Sequence, residues 1–519
     1  MNSFWTHLVM SRRFQGTIKL CWLAWVSSLL LAAEEPKPTA RDPARRDPDI
    51  IAIGGNRQLF VDDWVVDSLK NLSRVVHSPT RQDGNPVLRG TEPWEKWTVD
   101  VNGHTTLYDD ESHQFRMWYV SALISPDSAY GELHRVCYTV STDGIHWTKP
   151  ELGQVDWAGS RRNNLIQWGK NWMRRPNVLK DPQDPDPTRR YKMIYSDFIE
   201  GRTAIVKAYS IDGIHWRLNG DGQPWFRKQH NSDLLGWDAS VQKYVHYVRM
   251  PGSPVSVGRS TSEDFVTWSE PQTVIAPKKG ETGVNFMGLA TFQHEGMYLG
   301  LIRVRAHTEK GRWARAYVEL ASSRDGIRWT RYSPGTPFFK EGDAGGWDSE
   351  MVTMSAPIVR EGKLWFYFTG QNHAFGKAPL LKVQAGWKEN GQQIESAIGL
   401  ATLRQDGFVS LDAGKEAGIM VTKPLVIPNG SPGGGLSVNA AVRGELRIEI
   451  LDPKGNVLPG FEASDCRPIK TDALEHAVHW DQKRNLDDES KPSIEALRGK
   501  PVRLKFLLRD GSLYSFRFQ

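Results

Sequence analysis

The sequence predicts an all-β chain: a five-bladed β-propeller over residues 57–414, then a small C-terminal β-sandwich over residues 415–519. Three observations carry that expectation. A turn of the form S-x-D-G-x-x-W recurs. An apolar strand precedes each copy. No stretch of a dozen residues shows the apolar period of an amphipathic helix. The turn reads STDGIHW from Ser141, SIDGIHW from Ser210, SEDFVTW from Ser262 and SRDGIRW from Ser323. A degraded fifth copy, RQDGFVS from Arg404, lacks the tryptophan. The aspartates stand at 143, 212, 264, 325 and 406, a period of roughly 50–80 residues that suits propeller blades.

The physics of the turn is local. An aspartate in third place accepts bonds from backbone N–H groups of its own turn, and the glycine after it adopts positive φ without a Cβ penalty. The tryptophan then lies back over the sheet as a large apolar plug. On this reading the repeated Asp and Trp residues are architecture and not catalysis.

Taken in order, the chain opens with Arg12, Arg13 and Lys19, the apolar run Leu20–Ala33, and small residues before a polar stretch. That is the layout of a secretory signal peptide over residues 1–33, with an uncleaved anchor as the alternative. Cys21 lies at the front of the apolar run, which argues against a lipoprotein site. Residues 34–56 are rich in proline and charge and read as a disordered leader. RQLFVDDWVVD, residues 57–67, alternates as a strand and is placed to close the ring by pairing with the last blade. Blade one then has TTLYDD, FRMWYV and VCYTV; blade two NVLKDP, YKMIYS and AIVKAY; blade three DLLGWD, YVHYVR and SVGR. Blade four has GLATFQ, MYLGLIRV and AYVELA, and blade five APIVRE, LWFYFTG and IGLATL. After Asp412 the repeat stops, and LRIEIL, VRLKFLL and YSFRF alternate as the strands of the sandwich.

Charge narrows the function. The whole chain carries a formal +6; without residues 1–33 it loses three cations and no acid, leaving +3. No run of basic residues is interleaved with aromatics, so nucleic-acid binding is disfavoured. Cys137 and Cys466 remain, and their spacing does not decide whether they pair. No cluster has zinc-ligand spacing, so no metal and no cofactor is expected. Carboxylates round a channel leave room for a structural calcium, without EF-hand-like spacing.

In a propeller, residues at the entrance of the innermost strands converge on one pocket. Blade one offers Trp97, Asp100, Asn102 and His104; blade two Arg174 and Arg175; blade three His230 and Asp233. Blade four offers Glu281 and Asn285, and blade five Asp343, Asp348 and Glu350. Acids reaching one axis from different blades push each other's pKa apart, as a paired acid and base require. Trp94, Trp97, Trp172 and Trp237 are candidate sugar platforms, with inter-blade packing the competing role. Arg175 is suited to an anionic or polyhydroxyl group. Arg303, Arg305 and His373 stand at strand ends that face the same mouth or cap a blade.

WTVDVNG followed by FRMWY resembles the first-blade signature of the invertase, levansucrase and arabinanase superfamily of five-bladed glycoside hydrolases. Trp97, Asp100, Asn102 and Gly103 match it. The resemblance covers roughly residues 57–412, and the layout is similar to a secreted bacterial branch. It implies Asp100 as nucleophile. Where that pattern has a transition-state-stabilising Asp, this chain has Arg175; where it has the acid/base Glu, this chain has His230. His230, Asp233, Asp348 and Glu350 are therefore the candidate acids, with Asp100 plus Glu350 or Asp233 the favoured pair. The resemblance implies an enzyme acting on an oligo- or polysaccharide; the signal peptide implies a secreted or periplasmic protein with no membrane after cleavage, and a monomer with no nucleic-acid partner is expected. A carbohydrate-binding propeller without catalysis is the alternative, and a protein-interaction propeller is weaker.

Overall fold

A computed structural model describes residues 50–95, 98–124, 132–166, 173–199, 202–218, 226–227, 232–307, 313–373, 388–389, 392–393, 395–429, 434–481 and 493–519. Among them the chain is all-β, with short 3-10 turns and no α-helix. None of their helices is long and apolar enough to cross a membrane. The signal and leader expectations fall on residues 1–49, outside the described residues.

The first sheet holds Thr98–Asp100 and Thr106–Asp109, both paired with Gln114–Ile124, which in turn pairs with Glu132–Ser141. The second runs Arg174–Lys180, Tyr191–Ile199, Arg202–Ser210 and Trp216–Leu218. The third runs Ser232–Asp238, Lys243–Met250, Ser256–Ser262 and Gln272–Ile275. Val284–His294, Met297–His307, Trp313–Ser323 and Thr330–Arg331 form the fourth. A parallel contact, Ala316 with Met351, joins it to the fifth. The fifth holds Met351–Met354 and Ile358–Arg360, both on Lys363–Gln371, followed by Ser396–Arg404 and Thr80–Arg81.

The apolar cores lie between sheets. Trp118, Tyr138, Met193 and Val206 join the first sheet to the second. Ile194, Ile205, Leu234 and Val248 join the second to the third, and Val245, Tyr247, Leu289 and Ile302 the third to the fourth. Leu301, Val318, Phe366 and Phe368 join the fourth to the fifth; Val99, Tyr119, Tyr367 and Leu400 return from the fifth to the first. The cores thus form a closed cycle. Each fully buried large side chain contributes roughly 1.5–3 kcal/mol.

The repeated turn acts as expected locally. Asp143 Oδ1 accepts from the amides of Ile145 (2.9 Å) and His146 (2.8 Å), and Ser141 Oγ accepts from Gly144 N (2.8 Å). Asp212 and Asp325 repeat the pattern. Each glycine carbonyl is also bonded by an aromatic of the neighbouring sheet: Tyr367 to Gly144 (2.8 Å), Trp118 to Gly213 (2.7 Å) and Tyr247 to Gly326 (2.8 Å). The turns therefore lock sheet to sheet.

Residues 57–67 do not pair with the fifth sheet. Gln58–Leu59 pairs with Phe516 and Ser515, and Val66–Lys70 pairs with Gly418–Thr422. The strand that completes the fifth sheet is Thr80–Arg81, beside Ala401 and Thr402. Phe60 and Val65 are buried in the core of a further sheet, while Leu59 and Val61 pack in the core of the fourth and fifth sheets, so the stretch bridges the two and pairs with that further sheet. The further sheet is ten-stranded and built on the long strands Leu436–Leu451 and Pro501–Phe518. Its core includes Phe60, Met420, Leu504, Phe506 and Phe516.

Cys137, on Glu132–Ser141, and Cys466, at an isolated bridge to Trp480, are buried free thiols. Burial pushes the Cys137 thiol up to about 12.

Candidate active site

A small solvent-open cleft lies where strands of several sheets meet. Its lining includes Asp100, Asn102, Arg174, Arg175, Arg305, Thr369 and Gln371. Asp100 ends a strand of the first sheet, and its position is fixed from two sides. Thr369 Oγ1 lies 3.0 Å from its Oδ1, and Asn102 Nδ2 donates to the same oxygen. Among the described residues no hydrogen bond falls on Oδ2. Thr369 is itself oriented by Val101 N, which donates to its hydroxyl at 2.8 Å.

Beneath Asp100 runs a polar chain through three sheets. Asn102 Oδ1 accepts from Arg303 Nη1 (2.8 Å), and Arg303 Nη2 donates to Asp233 Oδ2 (2.6 Å). Leu289 N donates to that same Oδ2 at 2.9 Å. Asp233 and Arg303 are both buried. The structure thus puts Asp233 below the cleft, in an ion pair, where it positions Asn102 through Arg303. The reason is burial: a carboxylate without water keeps its charge only beside a cation.

Arg175 is held in an unusual conformation. It has φ +55°, and the ladder between Arg174–Lys180 and Tyr191–Ile199 slips between Arg174 and Asn177. A bulge re-aims side chains, and Pro176 removes an N–H that the ladder would otherwise use. A non-glycine residue at such φ costs about 1–3 kcal/mol. Both Arg174 and Arg175 line the cleft as a result. Arg303 and Arg305 alternate with apolar residues on Met297–His307, so both fall on one face. Burial pushes the Arg175 guanidinium well below its ordinary range, and the nearby Arg303, Arg174 and Arg305 add to the effect. Burial, with Arg249, Arg174 and Arg303, brings Arg305 down to about 10.

The other sequence candidates fall elsewhere. His104 is half-buried; its Nε2 lies 2.8 Å from Thr291 O, and loss of water contact lowers its pKa. Asp348 is buried and paired with Arg81 (2.8 Å), which packs over Phe339 and Phe368. It ties the closing strand to the loop before the fifth sheet and does not line the cleft. Glu281 pairs with Arg331 (2.6 Å) on the outer strand of the fourth sheet, captured there by the cation. Glu350 lines a second cleft with Arg315, Glu341, Asp343 and Asn372. The two clefts are close along the chain: Glu350 N donates to Gln371 O (3.0 Å), and Gln371 lines the first. His373 follows two residues later. Trp94 is buried, its Nε1 donating to Asn164 Oδ1 (2.9 Å). Trp237 lies at the far end of its strand from Asp233, against Tyr244. Trp97, Trp172 and His230 lie outside the described residues.

Two residues were missed in the sequence. Thr369 sits in LWFYFTGQ, where a polar residue ends an apolar strand, and that was the available signal. Asp197 is one residue beyond Ser196, the partner of Arg174. Burial pushes its carboxyl up to about 6, against a single bond from Phe198 N (2.7 Å).

Among possible metal ligands, His294, Glu295 and Asp406 cluster within reach of one another. Their bonds already account for the cluster. Asp406 takes His294 (2.8 Å), Ser515 (2.7 Å) and Arg57 (3.5 Å), and Glu295 takes Arg57 (3.3 Å).

No family model matches the chain. It is similar to two uncharacterized proteins of Mycobacterium tuberculosis, from strains ATCC 25618 / H37Rv and CDC 1551 / Oshkosh. Each is 24% identical over 211 residues, 38% of this chain and 60% of the relative. The chain therefore spans about 60% of the length of the curated relatives it matches. Among solved structures it is similar to a glycosyl hydrolase from Bacteroides ovatus (TM-score 0.45, 16% identity, 68% of this chain and 97% of that chain). A second is from the GH130 family of mannoside phosphorylases, which contains glycoside hydrolases that target β-1,2 mannosidic linkages in Candida mannan (TM-score 0.43, 16% identity, 66% and 96%). A third is an N-acetylgalactosamine deacetylase from F. plautii (TM-score 0.42, 13% identity, 65% and 97%). At these scores the likeness decides neither reaction nor substrate.

Proposed function

We propose that the chain is a secreted or periplasmic glycoside hydrolase-like enzyme that cleaves an oligo- or polysaccharide. The proposal takes the five sheets and their cycle of shared cores as five blades round an axis. The ten-stranded sheet is taken as the accompanying sandwich. One observation carries the reading: Asp100 stands in an open cleft with its Oδ1 held by Asn102 and Thr369 and its Oδ2 left for a substrate.

In this reading Asp100 acts on the anomeric carbon, as nucleophile or through a water. A second carboxyl protonates the leaving oxygen. Glu350, from the adjoining cleft, is the acid favoured by its place at the start of the fifth sheet. Asp197 rivals it, because a carboxyl raised to about 6 keeps a protonated fraction near neutral pH. Asp233 serves as a positioning residue. No cofactor takes part.

Reducing-sugar release over a panel of plant and algal glycans tests the reading. Wild type should release sugar from at least one glycan, and Asp100→Asn should abolish release while binding persists. Single Glu350→Gln and Asp197→Asn variants should identify the acid. Binding without release across the whole panel would sink the enzyme reading. It would instead support a carbohydrate-binding propeller, which one fact favours: among the described residues lining the cleft, Asp100 is the single carboxylate.

A further inference from the structure

Among the described residues, the cleft's lining sets one carboxylate beside three arginines. Asp100 faces Arg174 and Arg175 from the second sheet and Arg305 from the fourth, and a fourth guanidinium, Arg303, lies directly beneath. A site for a neutral sugar needs hydroxyl-sized donors and acceptors, such as the Gln371 amide at the cleft. It has no need of three converging cations, whose mutual repulsion works against the fold.

Arg175 is the most telling of them. Its backbone is held at φ +55° at a bulge. Among the described residues its guanidinium meets the protein through one long bond, Nη1 to Asn102 Oδ1 at 3.5 Å. No carboxylate of the described residues lies within ion-pair distance of it. Arg175 is half-buried, and a charge partly withdrawn from water normally has its partner in the protein. A strained backbone that presents such a group on the wall of a cleft is a mark of ligand recognition. The depressed pKa of Arg175 and of Arg305 has the same cause, cations crowded together out of water.

We propose that the cleft is specific for an acidic sugar, whose anionic oxygens, carboxylate or sulfate ester, are gripped by Arg175 and Arg305 while the ring lies against Asp100. A guanidinium fork matches two coplanar oxygens of either group, and charge-assisted bonds of this kind are about twice as strong as neutral ones. The proposal rests on the carbohydrate reading above and adds the substrate's charge to it.

Affinity electrophoresis tests it without requiring turnover, so that failure to cleave and failure to recognise acid are read separately. The gels contain a polyuronate, its carboxyl-reduced form, a sulfated galactan, its desulfated form, or no glycan. Wild type should be retarded by at least one acidic polymer about tenfold more strongly than by its neutral counterpart. The polymer that retards it tells carboxylate from sulfate. Arg175→Gln and Arg305→Gln should each remove most of that difference, and Arg175→Lys should restore part of it. Thermal unfolding checks that each variant is folded, and Arg305→Gln serves alone if Arg175→Gln is not. Equal retardation by acidic and neutral forms would overturn the proposal. So would acidic retardation that is unchanged in a folded arginine variant. Free inorganic sulfate raising the unfolding temperature with no retardation by any glycan would also overturn it, because the site would then take a free oxyanion only.

Discussion

A Cβ on Gly103 would lie 2.1 Å from Asn177 Oδ1 and 3.0 Å from Asp233 Oδ1, on a backbone with φ +61°. Both neighbours are in use: Asn177 Oδ1 takes the amides of His104 (3.0 Å) and Leu234 (3.1 Å), so neither can step aside cheaply. Gly103→Ala should lower unfolding stability by about 1–3 kcal/mol or more, read from the denaturant midpoint. Removing the acid below the cleft should cost more. Asp233→Ala leaves Arg303 buried without its partner, and about 3–5 kcal/mol is expected. A folded Asp233→Asn protein should keep measurable turnover where Asp100→Asn has none; loss of all turnover with unchanged stability would make Asp233 a reacting group. At this scale the sequence was only partly legible. Asp100, Asn102 and Arg175 could be marked because they stand at strand entrances. The same rule also marked Asp348 and Glu281, which Arg81 and Arg331 hold elsewhere. Strand position says where a side chain starts, and it does not say which distant cation will claim it.

The repeated turn was the most legible element, because every interaction that forms it is within seven residues. Its third copy carries a useful exception. Phe265 stands where the other three full copies have glycine, at φ +62°, with its ring buried against Tyr244 and Trp268. Phe265→Gly would relieve the backbone yet empty a core position. Loss of a buried Phe costs about 3–5 kcal/mol, more than the strain, so the variant should unfold at lower denaturant than wild type. A more stable variant would show that the ring contributes less than its conformation costs. Between elements, Asp109 of the first sheet takes Lys180 of the second at 2.7 Å and Arg116 at 3.3 Å. Burial pushes its carboxyl up, but the bond from Lys180, the Glu111 amide and the charges of Lys180 and Arg116 outweigh it and hold it at about 2. Its folded pKa is below the unfolded 3.8, so this stabilisation is complete above about pH 4 and fades as pH falls towards 2. Asp109→Asn should therefore lower stability at neutral pH and flatten its decline between those values, as urea titrations across pH would show.

Over the whole molecule, alternation and the turn period foretold an all-β chain, and it is one. Closure was not legible. Residues 57–67 alternate well enough to complete any sheet; Phe60 and Val65 meet the apolar face of Leu504, Phe506 and Phe516, while Leu59 and Val61 face the core of the fourth and fifth sheets. The short Thr80–Arg81 gives almost no signal, yet Arg81 bonds Asp348 and Lys340 O (2.7 Å) and covers Phe339. Arg81→Ala should loosen the fifth sheet first, seen as faster amide exchange at Ser396–Arg404 than in the third sheet. Uniform exchange throughout would mean that the strand is not a weak seam. The position of that strand also sets an order of events at the ribosome. A nascent chain releases Thr80 and Arg81 early, but their partners Ala401 and Thr402 are made late. The fifth sheet therefore closes only after residue 402 has been made, and until then Thr80–Arg81 is an edge too short to template a foreign strand.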